Sequence, residues 1–398
     1  MTAENIENAL SVQANFRFDQ VSSRTALRAV PSSAPSLGPL AAFAGTFRGR
    51  GLNTIFRPNS TQTPTPLPTP PGGPDDNVLE INLTSETLSF SPALGSVPNR
   101  GFKQGDIFLN GVPYLQSISD MTVPSQPVGI HFEPGLWIAV PATAFPEEGA
   151  TVFRMGSIPH GTTIEAQGTW ATAPGKPTIP AVDITPFTAP SPGHPPKKIP
   201  FPSQVATEAK TERIPQDLAS FIAAGTITQA ILTDPNTLLR GHIAAQDITE
   251  TTTMEISTRP GRPLFGGGTD NIAFLLGNPP PPGTDPDQPT QNANAQATHM
   301  TATFWIETVR YVMEVPAHRH GSPPLTIAAA TGEAGQPVPR FLVDPPTDII
   351  KPRPITVTST QSQYSQRVLL NFNNLLWPHV SVATLVPGRP IPVPASAW

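Results

Sequence analysis

Proline is placed so densely along this chain, 53 of 398 residues, that few windows are long enough to hold a helix of ordinary length. Each proline inside a helix removes a backbone donor and clashes with the preceding turn, so strands joined by proline-rich loops are the expected architecture. With 30 glycines added, the turn-forming residues approach the level of disordered chains, but a hydrophobic content of 37% is enough to build a core. Three loops stand out: Pro58 to Asp76 with seven prolines, Thr172 to Pro202, and the run of four prolines at 279–282.

Between the loops the strand signals recur roughly every ten residues with turn chemistry between them, which is the all-β pattern. They are Val78–Leu83, Thr87–Phe90, Asp106–Leu109, Leu115–Val123, Gly129–Phe132, Leu136–Val140, Ala150–Ser157, Thr162–Gly168, Ile248–Thr258, Met300–Glu307, Thr308–Val315, Ile355–Ser359 and Val368–Phe372. A glycine-rich run, Gly45 to Gly51, precedes them, and an alternating stretch with Val380, Val382, Thr384 and Val386 closes the series. Helices are expected at only two main places. Pro215 to Gly225 has proline at the first helical position and glycine just past the end, and Asp234 can cap a helix running towards Ala245. A further short helix is expected around Ile6 to Ala14.

The fold class that follows is mainly β: an antiparallel up-and-down barrel with long proline-rich loops and a small helical insertion. The expected organisation is an N-terminal arm over 1–36, one barrel domain over 37–386 with an insertion at about 172–247, and a proline-rich tail over 387–398. No fixed-period repeat is visible, which argues against solenoids and propellers.

Composition excludes several functions. A net charge of −5 without a long basic run gives no electrostatic footprint for nucleic acid. The absence of cysteine removes disulfides, thiolate ligands and cysteine nucleophiles. The first twenty residues lack a signal-peptide apolar run and no stretch reaches the length of a membrane span, so a cytoplasmic location is expected. Common hydrolase signatures are missing, and Gly266–Gly268 lacks the lysine and helix of a phosphate loop, leaving a tight turn.

Three runs carry chemistry: Gly45-Thr-Phe-Arg-Gly-Arg-Gly51, His131-Phe-Glu-Pro-Gly-Leu-Trp137 and Trp377-Pro-His-Val-Ser-Val-Ala-Thr-Leu385. His131 and Glu133 are two apart on a strand and so share a face, either as a general acid–base pair or as a structural ion pair. His379 shares its strand face with the small residues Ser381 and Ala383, beside Trp377; it is either a metal ligand or a strand histidine bonded to a carbonyl. His160 reads as a turn residue, and His318 and His320 as loop residues rather than a metal pair.

In their order these runs resemble the nitrobindin-type haem proteins, compact antiparallel barrels related in shape to lipocalins. Phe47 stands where that family has tryptophan, and Ser157 to Gln167 resembles the family's next turn and strand with His and Pro exchanged. The likeness covers about half the chain, residues 40–56, 78–168 and 297–386. It implies that His379 ligates the iron of haem b, with Trp377, Ser381 and Ala383 around it and His131 and Glu133 at the open face. The implied activity is on nitrogen oxides or other small oxidants, as a haem-dependent isomerase or peroxidase-like enzyme. A haem-free lipocalin-like carrier or pocket enzyme for an apolar small molecule is the alternative, and a structural or assembly role the third. The expected partner is a small-molecule ligand, with homo-oligomerisation left open.

Overall fold

A computed structural model of the chain describes residues 34–60, 64–69, 76–100, 105–144, 147–191, 193–259, 297–330 and 335–398. Ten long strands form a closed antiparallel barrel. In chain order they are β1 (Gly45–Pro58), β2 (Asn77–Phe90), β3 (Ile107–Asp120), β4 (Val128–Val140), β5 (Thr151–Ser157), β6 (Thr163–Pro174), β7 (Asp247–Ser257), β8 (Ala297–Val315), β9 (Arg353–Phe372) and β10 (Leu375–Pro387). Each pairs with the next, and β10 returns to pair with β1, Gly51 lying opposite Ala383 and Asn53 opposite Ser381. The barrel is therefore an up-and-down meander without a free edge, as the strand spacing leads one to expect.

Several of the expected strands fuse in pairs. Val78–Leu83 joins Thr87–Phe90 in β2, the two segments before and after Gly111-Val-Pro113 join in β3, and Pro134-Gly135 lies inside β4 opposite Leu115 and Tyr114. Glycine and proline act as turn signals in sequence, but here they sit in continuous ladders, because a barrel wall tolerates a missing donor at a bent position better than a broken strand. Gly51 shows why glycine is needed in the wall: a Cβ there would lie 2.0 Å from the Val382 carbonyl of β10.

The segment between β6 and β7 carries three short helices, α1 (Ala219–Ala223), α2 (Gln229–Thr233) and α3 (Asn236–Ile243). The first begins four residues later than Pro215 suggests. Arg213, fully buried, donates to the Pro215 carbonyl at 3.1 Å and the Gln216 carbonyl at 2.6 Å, so these acceptors are spent on a side chain instead of a first helical turn. Gly225, at φ +70, ends α1, and Asp234 accepts from the Asn236 N–H at 3.1 Å at the start of α3. The tail also takes structure, since Ile391–Pro392 pairs with Phe341–Leu342 of a small second sheet. The expected helix at Ile6–Ala14, most of the expected N-terminal arm, the Gly266–Gly268 turn and the four prolines at 279–282 lie outside the described residues.

Two cores result, one on each side of the barrel wall. Inside, Leu40, Phe43, Phe47, Phe90 and Trp137 close one end; Phe43 stacks on Phe90 at 4.5 Å, and Trp137 meets Phe304 edge-on at 5.1 Å. Outside, Leu52 and Phe56 of β1, Leu79 and Ile81 of β2, and Val380 and Val382 of β10 pack against Ile184, Leu218, Leu232 and Leu239 of the inserted segment. No helix among the described residues is long and apolar enough to cross a membrane.

Candidate functional site

With one end of the barrel plugged by aromatic rings, the other half keeps a cavity of about 810 Å³. Residues of alternate parity line it: Asn53 and Ile55 on β1, Asn82 on β2, Met300 and Phe304 on β8, Val368 and Leu370 on β9, His379 and Ser381 on β10. The β5–β6 turn adds His160 at the mouth.

His379 faces this space. Its Nε2 lies 2.8 Å from the Asn53 side-chain nitrogen, which also donates to Ser381 Oγ at 2.8 Å, so the ring presents Nε2 as an acceptor. Burial in the wall, followed by the charges of His131 and His160, pushes the imidazole down to about 4, and it stands neutral at physiological pH although its cavity edge is partly accessible. Ser381 lines the cavity beside it, and Ala383 lies one step deeper in the inner core. Trp377 does not line the cavity: its ring stacks on Phe372 at 4.4 Å and packs against Phe56 and Phe201 on the outer side. The two-residue turn at Asn373 and Asn374, with φ of 49 and 61, folds Phe372 back onto it and overrides the strand alternation there.

His131 and Glu133 do come together. His131 Nε2 lies 3.1 Å from Glu133 Oε2, and the His131 and His160 rings meet edge to face at 5.1 Å. Glu133 is fully buried, and its other oxygen accepts from Arg154 Nη2 at 2.8 Å and from the Tyr114 hydroxyl. Burial pushes the Glu133 carboxyl up, but Arg154 and the bonds from His131 and Tyr114 outweigh it and hold the group at about 2. An ionised carboxylate behind an imidazole fixes the ring's tautomer and orientation, which is how a general base is held.

The residues around this pair carry no motif of their own. Arg154 donates from Nε to Tyr114 Oη at 3.0 Å and from Nη1 to Gln366 Oε1 at 2.8 Å. Tyr364 donates to Glu86 Oε2 at 2.7 Å, and Gln116 Nε2 donates to both Glu86 and Tyr364 at 3.3 and 3.2 Å. Burial raises the Glu86 carboxyl to about 7 against these bonds. Room for this floor comes from a cross-strand glycine pair, Gly135 opposite Gly156. A Cβ at Gly135 would meet the Tyr114 ring at 2.4 Å, and one at Gly156 would meet Glu133 Oε1 at 2.4 Å. The sequence signal for the network is parity: Arg154 is in step with buried Val152, and Glu86 with buried Leu88.

Of the other histidines, His299 borders the cavity, its Nε2 2.9 Å from Ser257 Oγ, while His318 and His320 are apart from it. His318 exchanges backbone bonds with Ile349, and His320 bonds the Pro345 carbonyl through Nδ1 at 2.9 Å. Among the described residues no group of three His, Asp or Glu side chains is placed to hold a metal ion.

The fold and cavity define a closed ten-stranded antiparallel barrel of lipocalin-like shape. No protein-family model matches the chain, and neither a curated protein nor a solved structure matches it.

Proposed function

We propose that this barrel binds a small, largely apolar molecule in its cavity. The observation that carries the reading is the 810 Å³ space inside a wall whose other end is plugged, with isoleucine, valine and leucine side chains on several strands and imidazole, amide and hydroxyl groups between them. Such a space, apolar with a few convergent polar groups, is the usual form of a ligand site. The neutral probe N-phenyl-1-naphthylamine gives the test. Its fluorescence should rise on binding to the purified protein, and Ser381→Trp, which fills the cavity beside His379, should abolish the rise without unfolding the barrel. A wild-type protein that leaves the probe dark sinks the reading.

A second reading is favoured by one observation, the neutral His379 imidazole on the cavity wall. It follows the likeness to nitrobindin-type proteins, in which the cavity takes haem b. The residues fit such a group: His379 would hold it by its one nitrogen donor, the small Ser381 and Ala383 leave space alongside, and His131 with Glu133 supplies a polar group within the same cavity. When bound, haem supplies an iron centre that takes up nitrogen oxides or peroxide. Asn53 must release Nε2 for that ligation. A Soret band after reconstitution with haemin, lost in His379→Ala, is the expected result; no band in the wild type removes this reading and leaves the first intact.

A further inference from the structure

The cavity contains a buried arginine, and an arginine in a ligand pocket is ordinarily a site for a carboxylate or sulfonate. Here its donors are already in use. Arg154 Nη2 donates to Glu133 at 2.8 Å and towards Gln116 Oε1 at 3.4 Å, Nη1 to Gln366 and Nε to Tyr114. The faces of the guanidinium are covered as well, with the Tyr114, Phe304 and Trp137 ring centroids at 5.5, 5.5 and 5.7 Å. Glu133, at 0% exposure, has both oxygens engaged, one by His131 and the other by Arg154 and Tyr114.

The charge at the mouth is compensated in the same way. Arg57 and Glu80, both bordering the cavity, pair at 3.3 Å. Arg259 also borders it but is exposed at the rim, so it meets a ligand only where water does. Among the other polar groups along the wall, Asn53, Asn82, Gln366 and Ser381 carry no charge and His379 stands neutral, while the half-buried Glu165, one of whose oxygens finds no partner, adds an acid and no cation.

From this arrangement we infer that the cavity selects a neutral ligand, with uncharged hydrogen-bonding groups meeting the amides and the imidazole, and rejects one whose anionic group would enter the barrel. Glu133 is the specificity-determining residue: it occupies the cation that would otherwise recruit an acid. Inserting an anion beside the intact Arg154–Glu133 pair places a second negative charge against a desolvated carboxylate, whose repulsion is strong where water is excluded. The inference rests on the reading of the cavity as a ligand site, and the test separates the two.

N-phenyl-1-naphthylamine and 1-anilinonaphthalene-8-sulfonate share one aromatic frame and differ by the sulfonate. Titrated into the wild-type protein, the neutral probe should bind about tenfold or more tightly than the anionic one. In Glu133→Gln the freed guanidinium should raise affinity for the sulfonate by about tenfold relative to the neutral probe. The gain should vanish in Glu133→Gln/Arg154→Met, which assigns it to Arg154. Equal or tighter binding of the anionic probe by the wild type overturns the inference while upholding the ligand site. Failure of both probes to bind overturns the ligand site and the inference with it. The wild-type comparison stands whether or not the variants fold.

Discussion

The two faces of the barrel wall solve burial in opposite ways. Under the inserted segment the outer face is packed by aliphatic and aromatic side chains, among them Leu52, Phe56, Ile81, Trp305 and Val382. Inside the barrel, on β2, β3, β4, β5 and β9, the wall carries Glu86, Gln116, Glu133, Arg154 and Tyr364, each buried and linked in a hydrogen-bonded network. One face is stabilised by area removed from water, and losing a side chain there costs in proportion to the void left. The other face is held by mutual satisfaction, so losing one member exposes its partners to an unpaired state. A wall of this kind puts stability outside and leaves the interior free to carry chemistry.

The contrast can be broken most sharply at Arg154. Arg154→Met strands the Glu133 carboxylate in the interior and should lower stability to chemical denaturation by about 3–5 kcal/mol. Glu133→Gln/Arg154→Met should recover much of that loss, because no uncompensated charge remains. A double variant as unstable as the single one would mean that packing, not charge, holds the floor. On the outer face Leu52→Ala should cost about 3 kcal/mol through its cavity, yet leave probe binding inside the barrel unchanged. Altered binding in that variant would show that the two faces are coupled through the strand between them.

The smallest effect is expected at a buried carboxyl on the outer face, where Gln361, Gln363, Thr384 and His242 are also buried. Glu307 is completely buried there; its Oε2 accepts from Gln361 Nε2 at 2.6 Å, while its Oε1 finds no partner. Burial raises the group to about 8, only partly offset by the Gln361 bond. A carboxyl raised on folding favours the fold fully below its unfolded value of 4.5, and that contribution is lost as pH rises through about 8. Glu307→Gln should therefore match the wild type at pH ~5 and exceed it at pH ~9, read by thermal unfolding at both. A wild type whose stability is level across that interval would refute the raised value.

The barrel itself was legible because its signals are local. Turn residues every ten or so positions and alternating aliphatics specify strands, and an up-and-down series of such strands closes when its last strand pairs with its first. His379, Ser381 and Ala383 could be placed on one face by parity alone, and the structure puts the first two on the cavity. Trp377 shares that parity but turns outward, since the adjacent hairpin brings Phe372 against it. The polar floor was not legible: Arg154 and Glu86 are single charged residues in apolar strands, and nothing local says that Glu133 and Tyr364 wait opposite them. Their partners come from strands as far apart as β2 and β9, a distance that only the closed barrel removes.

The seam at which β1 meets β10 has a consequence for biosynthesis. A ribosome delivers β1 first and its second neighbour about 330 residues later, which at about 5–20 residues per second leaves one edge of β1 unpaired for tens of seconds. During that interval the nascent sheet is open to strands from other chains. Arg48 and Arg50, outward-facing and exposed beside the seam, place positive charge on that edge, where it discourages such pairing until the final strand emerges.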